Sequence, residues 1–416
     1  MPLSEKSQAI HAPLSLQAIC VLSLLSAVAP IATDMYLPGF PQISETLGAG
    51  ASATQLTLTS FLIGLALGQL VIGPLSDNYG RCKPLLYGTA LTILSGLLCV
   101  IVPNIESLIV LRGLQGFGGA AGVVLARAII ADRAPDSATV ARQTQIMTMI
   151  GGVAPILAPI TGTLIVTTAG WRAVFLVTAL LSVIAFIGVL RYITESLPVE
   201  QRVHASRQAL RHNILRLVTH RAYLGYTLVT SFAFMALFGY IAASPFVFQN
   251  VLGLSATQYS IAFGVNALGI ILFGAISARL VMRVAPRTLV SISLAVQLIA
   301  AAAVLIFTSI GAGAIFIMPA IFFTVASVGP IIGNASALAI RQVPEAAGTA
   351  SAVLGATQFG LGAIASPLVG LMGENNPLPM ACLIACASLS AVICFISLTQ
   401  RKSKAEVSDI SIAEAS

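Results

Sequence analysis

Few residues of this chain could do chemistry in an apolar setting, and two of them match in depth. Asp34 lies in Ala32-Thr33-Asp34-Met35-Tyr36-Leu37-Pro38, near the far end of the first long apolar run. Of the 14 acidic residues, it alone falls inside such a run away from the basic rim. Arg112 sits in the fourth run, about one and a half turns from the same end at 3.6 residues per turn. The first run leads outward and the fourth leads back, so both side chains occupy the same half. An ionised side chain in hydrocarbon is costly and faces a partner or a wet cavity. Binding and release of a proton at Asp34 is the chemistry such a pair can perform. Desolvation and a nearby cation pull a carboxyl's proton affinity in opposite directions, so a changing distance to Arg112 would switch it. The alternative is that Asp34 merely caps or bends the helix before Pro38.

A second constellation is Gly73-Pro-Leu-Ser-Asp77-Asn-Tyr-Gly80-Arg81-Cys-Lys83, a tight polar connection. Its glycines permit a sharp turn. Asp77 can accept from a neighbouring helix N-terminus and Arg81 can pair with Asp132, making a latch that must break when the molecule changes shape. A plain loop obeying charge bias would also explain Arg81 and Lys83. In a third stretch, Pro155 and Pro159 remove two backbone donors and bend their helix, while Gly162 allows close packing. That helix could seal a cavity against ion leak, or simply pack through its small residues.

The elements that must hold these residues are membrane helices. Hydrophobic residues make up 57 % of the chain and charged residues 8 %, against about 25 % charged in soluble domains. Spans of about 20 apolar residues fall near 15–37, 53–75, 84–103, 107–130, 143–167, 171–192, 222–248, 257–280, 287–310, 313–338, 349–373 and 378–399. Continuous runs, rather than alternating ten-residue segments, exclude a barrel. The expected fold class is an all-α membrane protein with twelve transmembrane helices in two six-helix pseudo-repeats. Alternate loops collect Lys6, Arg81, Lys83, Arg133, Arg142, the run Arg191 to Arg221, Arg279, Arg283, Arg287, Arg341, Arg401, Lys402 and Lys404. The opposite side holds Arg172, and Arg112 and Arg127 fall within a span. The positive-inside rule then puts both termini in the cytoplasm. Pro30 directly after Ala27-Val28-Ala29 argues against a cleavable leader.

The polar stretch Arg191 to Arg221 has six Arg, two Glu and three His and divides the spans six and six. Expected units are 1–192, an N-terminal bundle; 193–221, a basic cytoplasmic linker acting as a flexible tether; 222–400, a C-terminal bundle; and 401–416, a cytoplasmic tail. Gly73-Pro-Leu-Ser-Asp77 is echoed by Gly274-Ala-Ile-Ser-Ala278, and Ala158-Pro159-Ile-Thr-Gly162 by Ser366-Pro367-Leu-Val-Gly370. Similar offsets and span order favour a parallel repeat.

Here the motifs become recognisable. The loop resembles the major facilitator superfamily signature G-x-L-x-D-x-x-G-R. Leu108-x3-Arg112-x2-Gln115-Gly116-x-Gly118 is similar to that superfamily's fourth-helix motif. Gly151 to Gly162 resembles the fifth-helix motif of its drug:proton antiporters, with Ala158 and Thr163 where that motif has glycines. Ala32 to Pro38, together with Gly170-Trp171-Arg172, is similar to the bicyclomycin/chloramphenicol-resistance (Bcr/CflA) exporters. The resemblance implies alternating access between two bundles and expulsion of drugs against inward proton flow. It assigns proton-linked roles to Asp34 and Arg112, and gating to Gly73, Asp77, Gly80, Arg81 and Asp132. Asn78 and Cys82 replace the usual basic residues of the loop.

For a substrate cavity the resemblance points to the first, fourth, seventh and tenth spans, with Tyr36, Gln115, Tyr226, Phe238, Tyr240 and Asn334 as candidates. The expected partners are hydrophobic or amphipathic drugs, protons and membrane lipid, with a monomeric chain in a bacterial inner membrane. A nutrient or metabolite transporter on the same fold is the rival reading. No basic cluster marks a soluble nucleic-acid-binding domain, no G-x-x-x-x-G-K-[ST] loop marks an ATP-driven pump, and no nucleophile set lies within the spans. The cysteines show no zinc spacing, all four histidines lie outside the spans, and neither cofactor nor metal is expected.

Overall fold

The computed structural model describes residues 14–134, 136–202, 215–344, 347–370 and 376–399. The tail 401–416 and residues 203–214 of the linker lie outside the described residues. Among the described residues, twelve helices are long and apolar enough to cross a membrane. We label them α1 (Leu16–Asp34), α2 (Ala51–Tyr79), α3 (Cys82–Val100), α4 (Ile105–Arg133), α5 (Ser137–Ala169) and α6 (Trp171–Tyr192). The second set is α7 (Arg221–Phe246), α8 (Ala256–Leu280), α9 (Pro286–Ser309), α10 (Ala314–Arg341), α11 (Ala347–Gly370) and α12 (Leu378–Thr399).

Several helices outrun their apolar stretches. The run 143–167 sits within the 33-residue α5, because a helix ends where a cap satisfies its terminal groups, not where lipid ends. Asn104 accepts from the backbone N–H of Ser107 and Asp136 from that of Thr139, capping α4 and α5. Gly80 and Gly170 end α2 and α5 at φ of 89° and 80°, a region that disfavours other residues. α10 is interrupted at Ser327, between helical segments Ala314–Ala326 and Val328–Arg341.

The first six helices pack chiefly on one another, as do the last six, and the two bundles meet along α2/α11 and α5/α8. Near the end that carries Asp34, Gln55 Nε2 donates to the carbonyl of Ala242 at 3.1 Å and Ser366 Oγ to the carbonyl of Gln55 at 2.8 Å. The hydroxyls of Thr163 and Ser260 meet, and Ser260 also reaches the carbonyl of Pro159 at 3.1 Å. Phe40 and Phe246 close over this end with centroids 6.0 Å apart. Farther toward the basic face α2 and α11 still touch, since a Cβ on Gly355 would lie 2.4 Å from Gln69 Oε1, whereas one on Gly151 or Gly348 would meet nothing within 4 Å. Mid-helix Gly119 is buried, yet open space also lies over its Cβ position. The contacts of Gln55, Thr163 and Phe40 clasp the two bundles together at the end that carries Asp34.

Candidate functional site

Pro38 explains why α1 stops at Asp34. It has no N–H for the carbonyl four residues back, so the chain turns through Leu37–Gly39 into a short helix, Phe40–Thr46. This leaves carbonyls at the end of α1 open to other donors. Arg112 Nη2 takes one of them, donating to Ala32 O at 2.9 Å. Its Nη1 donates to Gln115 Oε1 at 2.6 Å, one turn along α4. The guanidinium carbon lies 4.3 Å from the ring centres of both Tyr36 and Phe61. Arg112 is fully buried, held by a helix C-terminus, an amide and two ring faces, each an electrostatically suitable neighbour for a cation. Gly116 makes the sandwich possible, since a Cβ there would come within 2.0 Å of the Phe61 carbonyl.

Asp34 is 5 % exposed. Its carboxylate accepts from the Thr33 hydroxyl at 3.2 Å, while Arg112 donates to Gln115 and to the carbonyl of Ala32. The sequence put Asp34 and Arg112 at similar depth in one half, with a distance between them that changes with conformation. In this conformation the cation grips the backbone two residues before Asp34. Across the seam, Asp34 lies within electrostatic reach of the hydroxyls of Tyr240 on α7 and Tyr259 on α8. Asn266 Nδ2 donates to the Tyr240 hydroxyl at 2.8 Å, and the Tyr259 hydroxyl lies 3.5 Å from Ser244 Oγ. Asp34 thus sits where the bundles meet, not deep in one of them.

The other sequence candidates fall into place around this centre or away from it. Gly162 lets α5 press on the turn beside Asp34, because a Cβ there would lie 1.9 Å from the Met35 carbonyl. Pro159 offers its carbonyl to Ser260, and Pro155 lies one turn nearer the basic face. Trp171 packs edge-on to Phe175 at 6.0 Å and donates its backbone N–H to Gln42 Oε1 at 3.1 Å. The Gly170-Trp171 phrase therefore braces the turn that follows Asp34. Tyr36 bonds Thr57 at 3.2 Å in addition to stacking on Arg112. Phe238 packs on Phe234 at 4.5 Å, which in turn meets Phe359 of α11. Two candidates face their own bundle instead. Tyr226 sits against Phe395 of α12 at 6.5 Å, and Asn334 ties α10 to α8 through Ser277 at 2.8 Å.

At the basic end of the first bundle, Arg81 joins Asp77 at 2.5 Å and Asp132 at 3.0 Å. The sequence did not point to Glu195, which is the centre of this network. Its carboxylate accepts the backbone N–H of Arg81 at 2.7 Å and of Cys82 at 3.2 Å. Ser196 donates to Asp132 at 2.9 Å, and Arg133 donates to the carbonyl of Glu195 at 3.1 Å. The start of the linker is therefore stapled to the signature loop, in contrast to the free tether expected over its whole length. Gly80 is needed twice here: for its φ, and because a Cβ would meet Glu195 Oε2 at 2.5 Å. Gly73 lies over Val124 of α4, with 4.0 Å left for a Cβ. An apolar groove of about 610 Å³ between α8 and α10, with Phe248, Val265 and Met318 in its walls, lies apart from all of these charges.

Two packed bundles of membrane-length helices, clasped at one end beside a buried carboxyl and a buried guanidinium, are the architecture of a membrane transporter. The Major Facilitator Superfamily profile matches residues 22–367. An uncharacterised MFS-type transporter of Bacillus subtilis, YdgK, is 35 % identical over 92 % of this chain and 95 % of its own length. A bicyclomycin resistance protein homolog of Haemophilus influenzae is 32 % identical over 93 % of this chain and 97 % of its own. The structure of a peptide transporter POT superposes with a TM-score of 0.75 at 12 % identity, over 95 % of this chain and 98 % of that one. That of a D-xylose-proton symporter gives 0.71 at 17 % identity, over 93 % and 98 %. At such identities the structures speak for the fold alone. The chain belongs to the major facilitator superfamily, in the Bcr/CflA-type branch that its motifs resemble.

Proposed function

We propose that this protein exports hydrophobic or amphipathic drugs across a bacterial inner membrane in exchange for protons. In this reading it is a transporter and not an enzyme. The basic face is cytoplasmic, both termini lie there, and the structure described above is the inward-facing state. The division into bundles 1–192 and 222–400, the linker 193–221 and the tail 401–416 belongs to the same reading, as does a monomeric chain surrounded by lipid.

The observation that carries it is the position of Asp34 on the sealed seam. An unpaired carboxylate is expensive to bury, so parting of the seam and exchange of a proton at Asp34 are coupled events. When the bundles rock, the seam opens to the outside, Asp34 meets water and the bundles close on one another at the basic face. Arg112 holds the end of α1 in place through Ala32 and tunes the field at Asp34. Asp77, Arg81 and Asp132 are the gating elements on the inner side, with Gly73 and Gly80 giving the loop its shape. Pro155, Pro159 and Gly162 shape α5 so that it seals beside Asp34. Tyr36, Gln115, Phe238 and Tyr240 are the candidate cavity groups that adjoin this centre or the seam, while Tyr226 and Asn334 serve packing. Relatives named as a bicyclomycin resistance protein homolog and as multidrug transporters support the choice of drugs as cargo.

The test is drug-evoked proton movement in energised inside-out vesicles, with phenicols, bicyclomycin and dyes as trial compounds. Wild type is expected to respond and Asp34→Asn to be silent while still inserting. Uphill export retained by Asp34→Asn would refute the assignment of the proton to this residue. Silence from wild type with insertion verified would favour a narrower solute.

A further inference from the structure

The two pseudo-repeats differ at the basic face in how their loop charges are balanced. In the first bundle Arg81 is paired with Asp77 and Asp132, and the loop is capped by Glu195. The echo in the second bundle, Gly274-Ala-Ile-Ser-Ala278, continues as Arg279-Leu-Val-Met-Arg283 and has alanine where the acid stands in the first copy. The sequence has no acidic residue between Glu200 and Glu345, and none lies among the described residues of α7 to α12. Arg279 lies in the last turn of α8, Arg283 in the turn before α9, and Arg341 at the end of α10, which packs on both helices. All three side chains are exposed, and among the described residues their guanidiniums make no hydrogen bond or ion pair.

Exposure along α8 shows what this face meets. Ile261, Val265, Leu268, Leu272 and Ile276 are exposed at spacings of three or four residues, which is one stripe of a helix. An exposed apolar stripe on a membrane-length helix is its lipid side. Arg279, three residues past Ile276 and seven past Leu272, continues that stripe. The turn beyond it places apolar groups between the two arginines: Leu280, Val281 and Met282, the last 85 % exposed. The N–H groups of Arg283 and Val284 both donate to the Leu280 carbonyl at 2.8 Å and fix the turn. Apolar side chains so exposed beside guanidiniums suit the border between hydrocarbon and headgroups, where stems stay in oil and charges reach outward. From this we infer that the turn between α8 and α9 binds an anionic phospholipid, with Arg279 and Arg283 on the headgroup phosphate and Met282 among the acyl chains. The second bundle draws from the membrane the counter-charge that the first supplies to its own signature loop. The inference rests on the cytoplasmic placement of this face, where the leaflet is negative, and is independent of the cargo. Each arginine near such a surface is worth about 5-fold in affinity, so the pair gives about 30-fold.

Lipid contact at this turn is read in the full chain by Met282→Trp, reconstituted in phosphatidylcholine vesicles. These contain a minor fraction of either brominated phosphatidylglycerol or brominated phosphatidylcholine, whose bromines quench a tryptophan they touch. The signal of Trp171, the chain's own tryptophan at the end that carries Asp34, is subtracted with the wild type. The anionic lipid is expected to quench more than the zwitterionic one at equal fraction, with a preference of about 5-fold to 30-fold. Salt should weaken that preference by screening. Arg279→Gln with Arg283→Gln should abolish it, and Arg279→Lys with Arg283→Lys should keep it. Equal quenching by the two lipids with the arginines in place overturns the inference, as does a preference untouched by salt or by the glutamine pair. Displacement of brominated phosphatidylglycerol by inorganic phosphate, beyond that by chloride at equal ionic strength, also overturns it and marks a site for a soluble anion. The salt titration keeps both arginines, so it decides the matter even if the glutamine pair fails to fold. Transport plays no part in this readout, which stands or falls separately from the export reading.

Discussion

Thr163→Val removes one hydroxyl from the seam between α5 and α8 and keeps the side-chain volume. In the sealed arrangement Thr163 Oγ1 meets Ser260 Oγ and lies 3.4 Å from the Ala256 carbonyl. Ser260 keeps other acceptors when Thr163 is gone, the carbonyls of Ala256 at 3.0 Å and Pro159 at 3.1 Å. No buried donor is stranded, so the loss should equal the net worth of one interhelical hydrogen bond. Within membranes that averages about 0.6 kcal/mol and reaches about 1.7 kcal/mol. The bond exists only while the seam is shut, so the whole of it bears on the balance between the two conformations. The sealed population should fall relative to the open one by about 3-fold to nearly 20-fold at RT of about 0.59 kcal/mol. Ser260→Ala should do more, because it also releases Pro159, and the double mutant should cost less than the sum of the two. Spin labels at the exposed positions Thr46 and Ser309, one on each bundle at the sealed end, would report the populations by distance. A shift under 2-fold in both single mutants, with no coupling in the pair, would show that this clasp carries no gating energy. Thr163 stands where the family's fifth-helix motif has glycine, so Thr163→Gly should move the balance the same way.

Tyr36→Leu should loosen Arg112 by removing one of its two nearest ring faces, at a cost of about 0.5–2 kcal/mol, whereas Tyr36→Phe keeps the ring. Thermal melting in detergent separates the two, and equal melting points would argue against the sandwich. Glu195→Ala should strand the backbone N–H groups of Arg81 and Cys82, costing the loop about 1–3 kcal/mol. Amide exchange at residues 80–83 would then accelerate by about 5-fold to more than 100-fold, one kcal/mol being a little over 5-fold. Unchanged protection there would mean that the linker does not hold the loop.

Local chemistry made much of this molecule legible in advance. Hydropathy is a property of consecutive residues, so all twelve spans could be read from the chain, with errors only where capped ends such as Asp136 and Gly170 carry helices past the lipid. Depth follows from distance along a helix, which is why Asp34 and Arg112 could be placed in one half. Helical spacing also put Gln115 one turn from Arg112, where it is found. Direction around a helix and pairing between distant helices are another matter. Tyr226 and Asn334 looked like cavity groups because they are polar or aromatic on the right spans, but their faces turn toward α12 and α8. Ser260 lies 97 residues from Thr163, and Glu195 lies 114 from Arg81. No spacing rule joins such residues.

What the sequence determined by itself was the solvent, the number of crossings, the face that carries the positive charge and the short inventory of ions within the membrane. Those follow from the cost of burying polar groups, which each segment meets independently of the others. What only the tertiary structure decided was partnership. It gave Arg112 to the carbonyl of Ala32 and the amide of Gln115, and set Asp34 on the seam. Each of these depends on how two helices approach and rotate against one another. That geometry is set by many small contacts such as Gly116 on Phe61 and Gly162 on Met35, and it exists only once the bundles have packed.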